Sequence, residues 1–403
     1  MIFKIAFRNV FRQKRRSLLT ALAMFGGFTL SAVSIGWSDG TYNRMIDLFT
    51  RNRLGQIQLH RAGYLDRASL YKTIDHYAQW GDTLGKDTRV EHWAPRLYSA
   101  GLVSLGEKSI AVRISGIQPE QEDSTTRFHK KIVRGRMFSA ESHNAILGKG
   151  LAELLKATVG DTVVLISQAA DGSLANDLFP VIGLLESGDE ISDRSVLYLP
   201  LSTAQSFLML PDQVHEIAVT LHHLKDVKKV LSRLEISLKG TGIEAASWRE
   251  FAKSFYQAMQ ADKQGMWIMI VVIMLIVAVG VLNTVLMSVL ERTREYGMLK
   301  AVGTTPKAIF LQVVIEVQVL IFFSLLSGTV LALIANTLLS VYGFNLPQPF
   351  TYGGIEFNKM VAEVNLRSFY LSGLTVAVSA TLISLFPAWR AARIDPAKAM
   401  RTI

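Results

Sequence analysis

The segment Glu291-Arg-Thr-Arg-Glu-Tyr-Gly-Met-Leu-Lys-Ala-Val-Gly-Thr-Thr-Pro306 lies between two long apolar runs, and this contrast decides the fold class. The run before it, residues 266–290, has no charged residue in 25 positions, and the run after it, residues 308–341, has only Glu316 in 34. An α-helix needs about 20 apolar residues to cross a membrane. The charged segment, with Lys307, is therefore a short connection between two membrane spans.

The connection, residues 291–307, has the pattern of a short amphipathic helix with its own end and a new start. Gly303 suits the left-handed residue that ends a helix. Thr305 can cap the next helix, and Pro306 fits its first position. The apolar side consists of Met298, Leu299, Ala301 and Val302, and the charged side of Arg292, Arg294, Glu295 and Lys300. Two interpretations stay open from the residues alone: a docking element for a soluble partner, or an interfacial anchor between two spans.

Four runs reach spanning length, namely residues 17–37, 266–290, 308–341 and 368–389. Positive charge is concentrated beside them: residues 1–16 carry +6, residues 291–307 carry +2 and residues 390–403 carry +3. Because Lys and Arg in short flanking segments face the cytoplasm, we predict an inner (cytoplasmic) membrane protein with both termini inside. This distribution explains the net charge of +10, so we predict no nucleic-acid partner.

The N-terminal run has two interpretations. A basic start followed by an apolar run fits a secretory signal, with Ala32-Val33-Ser34 as the cleavage site. Its span length favours an uncleaved first span. Residues 1–16 also read as a cytoplasmic amphipathic elbow helix with Phe3, Phe7 and Phe11 at four-residue spacing. The bases beside them, Lys4, Arg8, Arg12 and Arg16, are then expected to face the phosphates of membrane lipids.

Residues 38–265 are predicted to form a large extracytoplasmic α+β domain with a stalk helix at each end. Alternating polar and apolar residues at 56–60, 101–105 and 111–115 predict half-buried strands. Asp171-Gly172 fits a hairpin turn, and Ser247 with Glu250 forms a capping box before the second stalk. The fold class is therefore membrane α-helical, with four transmembrane helices, plus this domain.

The remaining segments complete the predicted organisation. Residues 342–367 are an extracytoplasmic loop, expected to be irregular because it contains Pro347, Pro349 and Gly353-Gly354. Residues 390–403 are a cytoplasmic tail. No ATPase phosphate loop is present: the nearest sequence, Gly81-Asp-Thr-Leu-Gly-Lys-Asp-Thr88, has the wrong spacing. His-Glu-x-x-His does not occur. We therefore predict no enzyme, and no catalytic, cofactor-binding or metal-binding residue on this chain.

Several motifs carry a family resemblance. The connection resembles the cytoplasmic loop of FtsX/MacB-like (type VII) ABC transporter permeases. The sequence Pro387-Ala-Trp-Arg-Ala-Ala-Arg-Ile-Asp-Pro-Ala-Lys-Ala-Met-Arg401 resembles their closing signature, and residues 6–17 resemble their N-terminal elbow. In the outer domain, Gly116-Ile-Gln-Pro-Glu120, Gly135-Arg-Met-Phe138, Ile146-Leu-Gly-Lys-Gly150 and Val159-Gly-Asp161 are similar to landmarks of the lipoprotein-releasing (LolC/LolE-type) branch.

This resemblance implies a permease that pairs with a second copy or a paralogue and binds a cytoplasmic ABC ATPase dimer, which holds ATP and Mg. It implies an outer domain of two lobes, with the inserted lobe at about residues 121–204. The connection is then a coupling helix that docks into the ATPase. The residues expected to carry the coupling are Glu291, Arg292, Glu295, Tyr296, Gly297, Leu299, Lys300, Gly303 and Pro306.

Glu316 is the one ionisable residue inside a predicted span. It lies about 15 Å along the helix from Pro306, where an unpaired charge is costly. One interpretation is an intramembrane latch to the connection through Arg292 or Lys300. The other is an interfacial carboxylate that reaches water.

The function implied is extraction of a lipophilic substrate, most plausibly a lipoprotein, driven by ATP hydrolysis on a separate protein. The alternatives are MacB-like efflux of a periplasmic substrate and an FtsX-like regulator of a cell-wall hydrolase. A periplasmic carrier or adaptor is a further candidate partner. The segment 168–178, where a carrier-recruiting hook is found in some members of this branch, is short and has no proline or aromatic tip.

Overall fold

Four long helices and a ten-stranded sheet form the two units into which the chain divides. The computed structural model describes residues 6–9, 12, 14–352 and 355–401. The membrane unit comprises Met1–Tyr42, Met259–Leu346 and Lys359–Ile403, and the sheet unit comprises Asn43–Ala258 and Pro347–Asn358. Phe3, Lys4, Phe11 and the Gly353-Gly354 pair lie outside the described residues, as do Thr402 and Ile403 of the predicted tail.

The helices and strands have the following bounds. The α-helices are α1 Lys14–Phe49, α2 Tyr77–Gly85, α3 Pro119–Thr126, α4 Lys149–Leu155, α5 Glu190–Asp193, α6 Leu201–Phe207, α7 Val227–Ser237, α8 Trp248–Phe251, α9 Lys253–Glu291, α10 Thr293–Ala301, α11 Pro306–Val341, α12 Leu366–Ala392 and α13 Pro396–Arg401. The strands are β1 Ile57–Arg61, β2 Ile74–Asp75, β3 Val90–Leu105, β4 Lys108–Ile117, β5 Ile132–Gly135, β6 Ala145–Gly148, β7 Thr162–Gln168, β8 Leu174–Leu185, β9 Val196–Pro200, β10 Gln213–Val214, β11 Glu216–Leu221, β12 Ile243–Ser247, β13 Phe344–Tyr352 and β14 Ile355–Met360. A π-helical turn, Thr50–Leu54, follows α1.

Helices α1, α9, α11 and α12 are long and apolar enough to cross a membrane. They contain 27 to 39 residues, which exceeds the length that a bilayer core requires. Helices α1 and α9 continue well past the predicted spans 17–37 and 266–290, so the periodic segments beside these spans are helical. The capping box of Ser247 and Glu250 is present, and it starts the short helix α8 directly before α9.

Small residues set the packing of the membrane unit. A Cβ on Gly27 would lie 2.2 Å from the Val277 side chain, and one on Gly36 would lie 2.7 Å from the Asn336 amide. Asn336 Nδ2 donates to the carbonyl oxygen of Ala32 at 3.3 Å. Close backbone approach and hydrogen bonds between helices are how apolar spans associate where water exclusion contributes little.

The sheet unit is built around one mixed sheet with the strand order β12-β1-β11-β3-β4-β9-β6-β8-β5, while β7 pairs with β3 and β8. The pairs β4–β9 and β6–β8 are parallel. One face packs apolar side chains such as Leu59, Leu97 and Leu197 into the main core. The hairpin turn between β7 and β8 contains Gly172 at φ +86°, as Asp171-Gly172 predicts.

The second face of the sheet is polar yet largely buried. Arg96 on β3 contacts Glu122 of α3 and Glu216 of β11 at 2.8 Å each, and all three side chains are at most 7% exposed. Gln58 and His60 on β1 lie on this face and are also buried. The prediction that β1 is half-buried is therefore wrong. Its alternating polar residues lie on a face of the sheet that is polar but buried, not on a face exposed to solvent.

Two further expectations differ from the structure. The strands within residues 121–204 belong to the same sheet as the rest of the domain, because β7 pairs with β3 and β9 pairs with β4. The main core also contains side chains from both inside and outside this range. No break in the sheet therefore marks an inserted lobe among the described residues. Within residues 342–367, β13 and β14 pair as a two-stranded sheet, so this part of the loop is regular. A two-stranded sheet has only edge strands, which tolerate Pro347 and Pro349.

We predict that His215 makes the stability of the sheet unit fall below pH 6.5. Its Nδ1 accepts a hydrogen bond from the Tyr98 amide at 3.0 Å, and burial lowers the pKa of the imidazole. The unfolded chain then binds the proton more readily, so acid removes stability from pH 6.5 down to the folded pKa, at up to about 1.4 kcal/mol per pH unit. Thermal unfolding of the intact protein from pH 7.5 to 5 measures this slope.

The variant His215→Asn keeps an acceptor near the Nδ1 position and cannot titrate, so its slope should be shallower. The control His222→Asn removes an exposed histidine and should leave the slope unchanged. Equal slopes in both variants would contradict the assignment to His215.

Candidate coupling site

The connection between α9 and α11 is a helix with defined ends. Helix α9 ends at Glu291, Arg292 breaks the helical geometry, and α10 follows. Gly303 has φ +103°, which favours glycine and ends the turn after α10. The Thr305 side chain accepts a hydrogen bond from the Ala308 amide, and Pro306 occupies the first turn of α11. These local features agree with the sequence pattern.

An ion pair joins the connection to α11. Arg292 Nη1 lies 3.1 Å from both carboxylate oxygens of Glu316, and Arg292 Nε donates to Glu295 at 3.2 Å. Asn9 Nδ2 also donates to Glu316, at 2.7 Å. The Arg292 and Glu316 side chains are 6% and 15% exposed, so the pair is largely withdrawn from solvent. Of the two latch partners that the sequence suggests, Arg292 is the one in contact.

The N-terminal elbow contributes two more ion pairs to the same region. Arg16 contacts both carboxylate oxygens of Glu291, and Arg12 Nη2 lies 3.1 Å from Glu295 Oε1. Arg12 and Arg16, which we expect to face lipid phosphates, thus also pair with acidic groups of the connection. Asn9, Arg12 and Arg16 have the i, i+3, i+7 spacing of one helix face.

The C-terminal signature packs against α10. A Cβ on Gly297 would lie 2.7 Å from the Ala399 side chain of α13, and both residues are buried. Lys300 Nζ donates to the carbonyl oxygens of Ile394 at 2.7 Å and Ala392 at 3.2 Å. These oxygens belong to the end of α12 and the turn after it, where a cation is favourable. Lys300 therefore binds the C-terminal segment and not Glu316.

The exposed apolar side of the connection is small and well defined. Met298 is 51% exposed, Leu299 39% and Val302 89%. We call these three residues the docking surface. Tyr296, in contrast, is 2% exposed, and its ring lies under the Arg292 guanidinium at 5.9 Å.

The predicted coupling residues thus divide into groups with different surroundings. Leu299 belongs to the docking surface, and Gly303 and Pro306 set the helix ends. The other six contact neighbouring segments or are buried against them: Glu291, Arg292, Glu295, Tyr296, Gly297 and Lys300. The sequence did not indicate that Asn9, Arg12, Arg16 and Ala399 belong to this site. The i, i+3, i+7 spacing of the first three was the available signal.

Two family descriptions match the chain. The MacB-like periplasmic core domain matches residues 17–236, and the FtsX-like permease C-terminal region matches residues 267–396. The chain belongs to the MacB-like periplasmic core domain family. The second match contains α10, its docking surface and most of the C-terminal signature, so this MacB-like permease has both regions in one chain.

Curated relatives agree with this assignment. The chain is 26% identical over 331 residues to the lipoprotein-releasing system transmembrane protein LolC of Xylella fastidiosa, covering 78% of each chain. It is 22% identical to LolE of Haemophilus influenzae, with 81% of each covered. It is 24% identical to the macrolide export ATP-binding/permease protein MacB of Pasteurella multocida, over 99% of this chain and 60% of that protein. The chain is therefore an ABC transporter permease of the LolC/MacB/FtsX type, a multi-pass inner-membrane protein.

We predict that removing Arg292 destabilises the membrane unit. Arg292→Met leaves the Glu316 carboxylate withdrawn from water without its charged partner, which typically costs about 3 kcal/mol or more. The thermal midpoint of the purified permease in detergent should fall clearly. Arg294→Met, which changes an exposed arginine of the same helix, should leave the midpoint nearly unchanged.

The double variant Arg292→Met/Glu316→Gln tests whether the two charges depend on each other. It should recover part of the lost stability, because the unpaired charge is gone. Additive losses in the double variant would show that the pair is not coupled.

Proposed function

We propose that this chain is the permease subunit of an ABC transporter that couples ATP hydrolysis by a separate ATPase to lipoprotein release from the inner membrane. The observation that carries the proposal is the docking surface of Met298, Leu299 and Val302, held on a helix that four other segments fix in place. The names of the LolC and LolE relatives support the choice of substrate.

A cytoplasmic ATPase dimer is the proposed partner of the docking surface, and ATP and Mg would be bound there. This chain has no Gly-x4-Gly-Lys-Ser/Thr sequence that could cradle a nucleotide phosphate. Three exposed apolar side chains on one short helix suit the hydrophobic centre of a helix-in-groove contact. The excess of Lys and Arg within the connection supports its cytoplasmic location, with both termini on the same side.

The contacts between the connection and its neighbouring segments suggest how a displacement of α10 would be transmitted to the membrane spans. A push on α10 is resisted by Arg292–Glu316 on α11, by Arg16–Glu291 and Arg12–Glu295 on the N-terminal segment, and by Lys300 at the end of α12. Together these contacts join the connection to α11, to α1 with the segment before it, and to the end of α12. Movement of the bound ATPase would therefore act on three spans besides α9, which is the coupling that a permease of this type needs.

A MacB-like export function is the second candidate. The MacB relative aligns over 99% of this chain, compared with 78% for LolC. The turn between β7 and β8 is also short, spanning residues 169–173, and closes with a hydrogen bond from the Ala169 amide to the Ser173 carbonyl oxygen. A hook for a periplasmic carrier would need a longer hairpin here, so recruitment of a carrier by this chain is not part of the proposal.

We predict that Leu299→Asp abolishes binding of the ATPase while the permease stays folded. A carboxylate at the centre of an apolar contact is left without solvent or a partner, which costs enough to reduce the affinity by at least tenfold. Pull-down of the ATPase with the detergent-solubilised permease measures the loss. Leu174→Asp, at an exposed position of the β7–β8 hairpin, is the matched control and should bind normally.

The variant Gly297→Asp distinguishes loss of the ATPase contact from loss of the packing that fixes α10. Because Gly297 faces Ala399, its substitution should lower the thermal midpoint as well as ATPase binding. Normal ATPase binding by Leu299→Asp would refute the docking assignment.

The substrate is tested by depleting the protein in its native cell and measuring which proteins accumulate in the inner membrane. Lipoprotein release predicts accumulation of acylated proteins, with restoration by the wild-type chain but not by Leu299→Asp. Unchanged lipoprotein distribution, together with co-purification of a periplasmic adaptor and an outer-membrane duct, would favour export. Co-purification of a cell-wall hydrolase would favour an FtsX-like regulator.

A further inference from the structure

A small cavity on the polar face of the sheet has an unusually cationic wall. Its volume is about 70 Å³, which is room for several water molecules or one small anion. Four basic residues line it, Arg53, Arg96, Arg113 and Lys131, together with the hydroxyl groups of Tyr98 and Tyr198. Glu122 is the only acidic residue of the lining.

The carboxylates around the cavity already have donors. Glu122 receives two hydrogen bonds from Arg96 and one from Thr126. Glu216 receives one hydrogen bond, also from Arg96. Asp189 pairs with Arg53. Asp193, on the adjacent α5, accepts from the amide and hydroxyl of Ser187. Arg53 is therefore paired with one carboxylate and Arg96 with two, while Lys131 and Arg113 make none of these contacts.

Lys131 and Arg113 have no acidic partner within the part of the chain that the structure describes. Lys131 Nζ donates to the carbonyl oxygen of Asn52, and Arg113 Nη2 lies 3.1 Å from Ser192 Oγ. Both acceptors are neutral. Burial lowers the pKa of Lys131 to about 8, while the nearby carboxylates of Glu122 and Asp193 oppose this shift. Lys131 is half-buried and Arg113 is exposed, and neither charge is in direct contact with a carboxylate.

We propose that this cavity binds a tetrahedral oxyanion, held by Lys131 and Arg113 with hydroxyl donors from Tyr98 and Tyr198. Phosphate, sulfate and a phosphodiester group share the required chemistry: acceptor oxygens that take charge-assisted hydrogen bonds from ammonium and guanidinium groups. The proposal concerns the sheet unit alone and does not depend on the docking of an ATPase.

A second cavity adjoins the first and bears on the source of the anion. Its volume is about 640 Å³, and Leu54, Tyr98 and Arg113 line both cavities. Its own wall includes Tyr64, Leu65 and Leu70. A free anion would use the small cavity only, whereas the headgroup of an amphiphile could place its apolar part in the larger one.

Titration with sulfate tests the site, because the charge of sulfate is constant between pH 5 and 9. The full-length permease in neutral detergent should bind one sulfate at pH 7, measured calorimetrically at constant ionic strength. Lys131→Met should weaken binding at least tenfold, and Arg113→Gln should do the same. Lys130→Met, which changes the exposed neighbouring lysine, is the matched control and should bind like the wild type.

The pH dependence gives a readout that a structural defect would not produce. Wild-type affinity for sulfate should fall between pH 7 and 9 as Lys131 loses its proton, while Lys131→Met should show no such fall. The charged groups that face Lys131 are Glu122 of α3, Arg96 of β3, Arg53 of the π-helical turn and Asp193 of α5. Arginine side chains stay protonated in this range, and burial raises the pKa of Asp193.

Dioctanoyl phosphatidylglycerol distinguishes the two sources. Affinity at least tenfold above that of sulfate, reduced by Leu65→Asp, would identify an amphiphile headgroup. Equal affinities, unaffected by Leu65→Asp, would identify a free anion. Absence of sulfate and lipid binding to the wild type below about 1 mM, or equal binding by Lys131→Met, Arg113→Gln and wild type, would overturn the proposal.

Discussion

The contact between Arg292 and Glu316 is the constraint on which the rest of the membrane unit depends. A carboxylate within an apolar helix is tolerated only with a partner, and the partner must come from outside that helix. Arg292 provides it from the turn between α9 and α10, so the position of α10 is fixed relative to α11. Arg12 and Lys300 then attach α10 to the segment before α1 and to the end of α12. Arg16 of α1 pairs with Glu291 at the end of α9.

The sheet unit also contains charged side chains that are withdrawn from water, and there they form one network. Arg96 sits between Glu122 and Glu216, with each contact at 2.8 Å, so three charges share one buried network. Such networks add little stability compared with an apolar core, but they require one arrangement of their members. The polar face is therefore specific in shape, and the unpaired Lys131 and Arg113 stand out against it.

Much of this architecture could be predicted from the sequence, because long apolar runs, helix caps and glycine positions are local signals. The four candidate membrane helices, the large α/β domain and the C-terminal end of α10 follow from such signals. What failed depended on distant residues. Gln58 and His60 alternate with apolar neighbours like surface residues, yet both are buried, and His60 bonds to the carbonyl oxygen of the distant His215. Gly297 reads as part of an exposed helix, and only the fold shows that Ala399, one hundred residues later, covers it. The ion pairs of Arg12 and Arg16 with the connection could not be read from the sequence for the same reason.

The packing of Gly297 against Ala399 has a consequence for genetics. Both residues are small because two helices approach closely there, so a larger side chain at either position displaces α10 without touching its outer surface. Such an allele would look like a loss of partner binding although the partner's own contact residues are intact. Its second-site suppressors should then arise within α10 or α13 of this same chain, whereas suppressors of a change at Val302 should map to the ATPase.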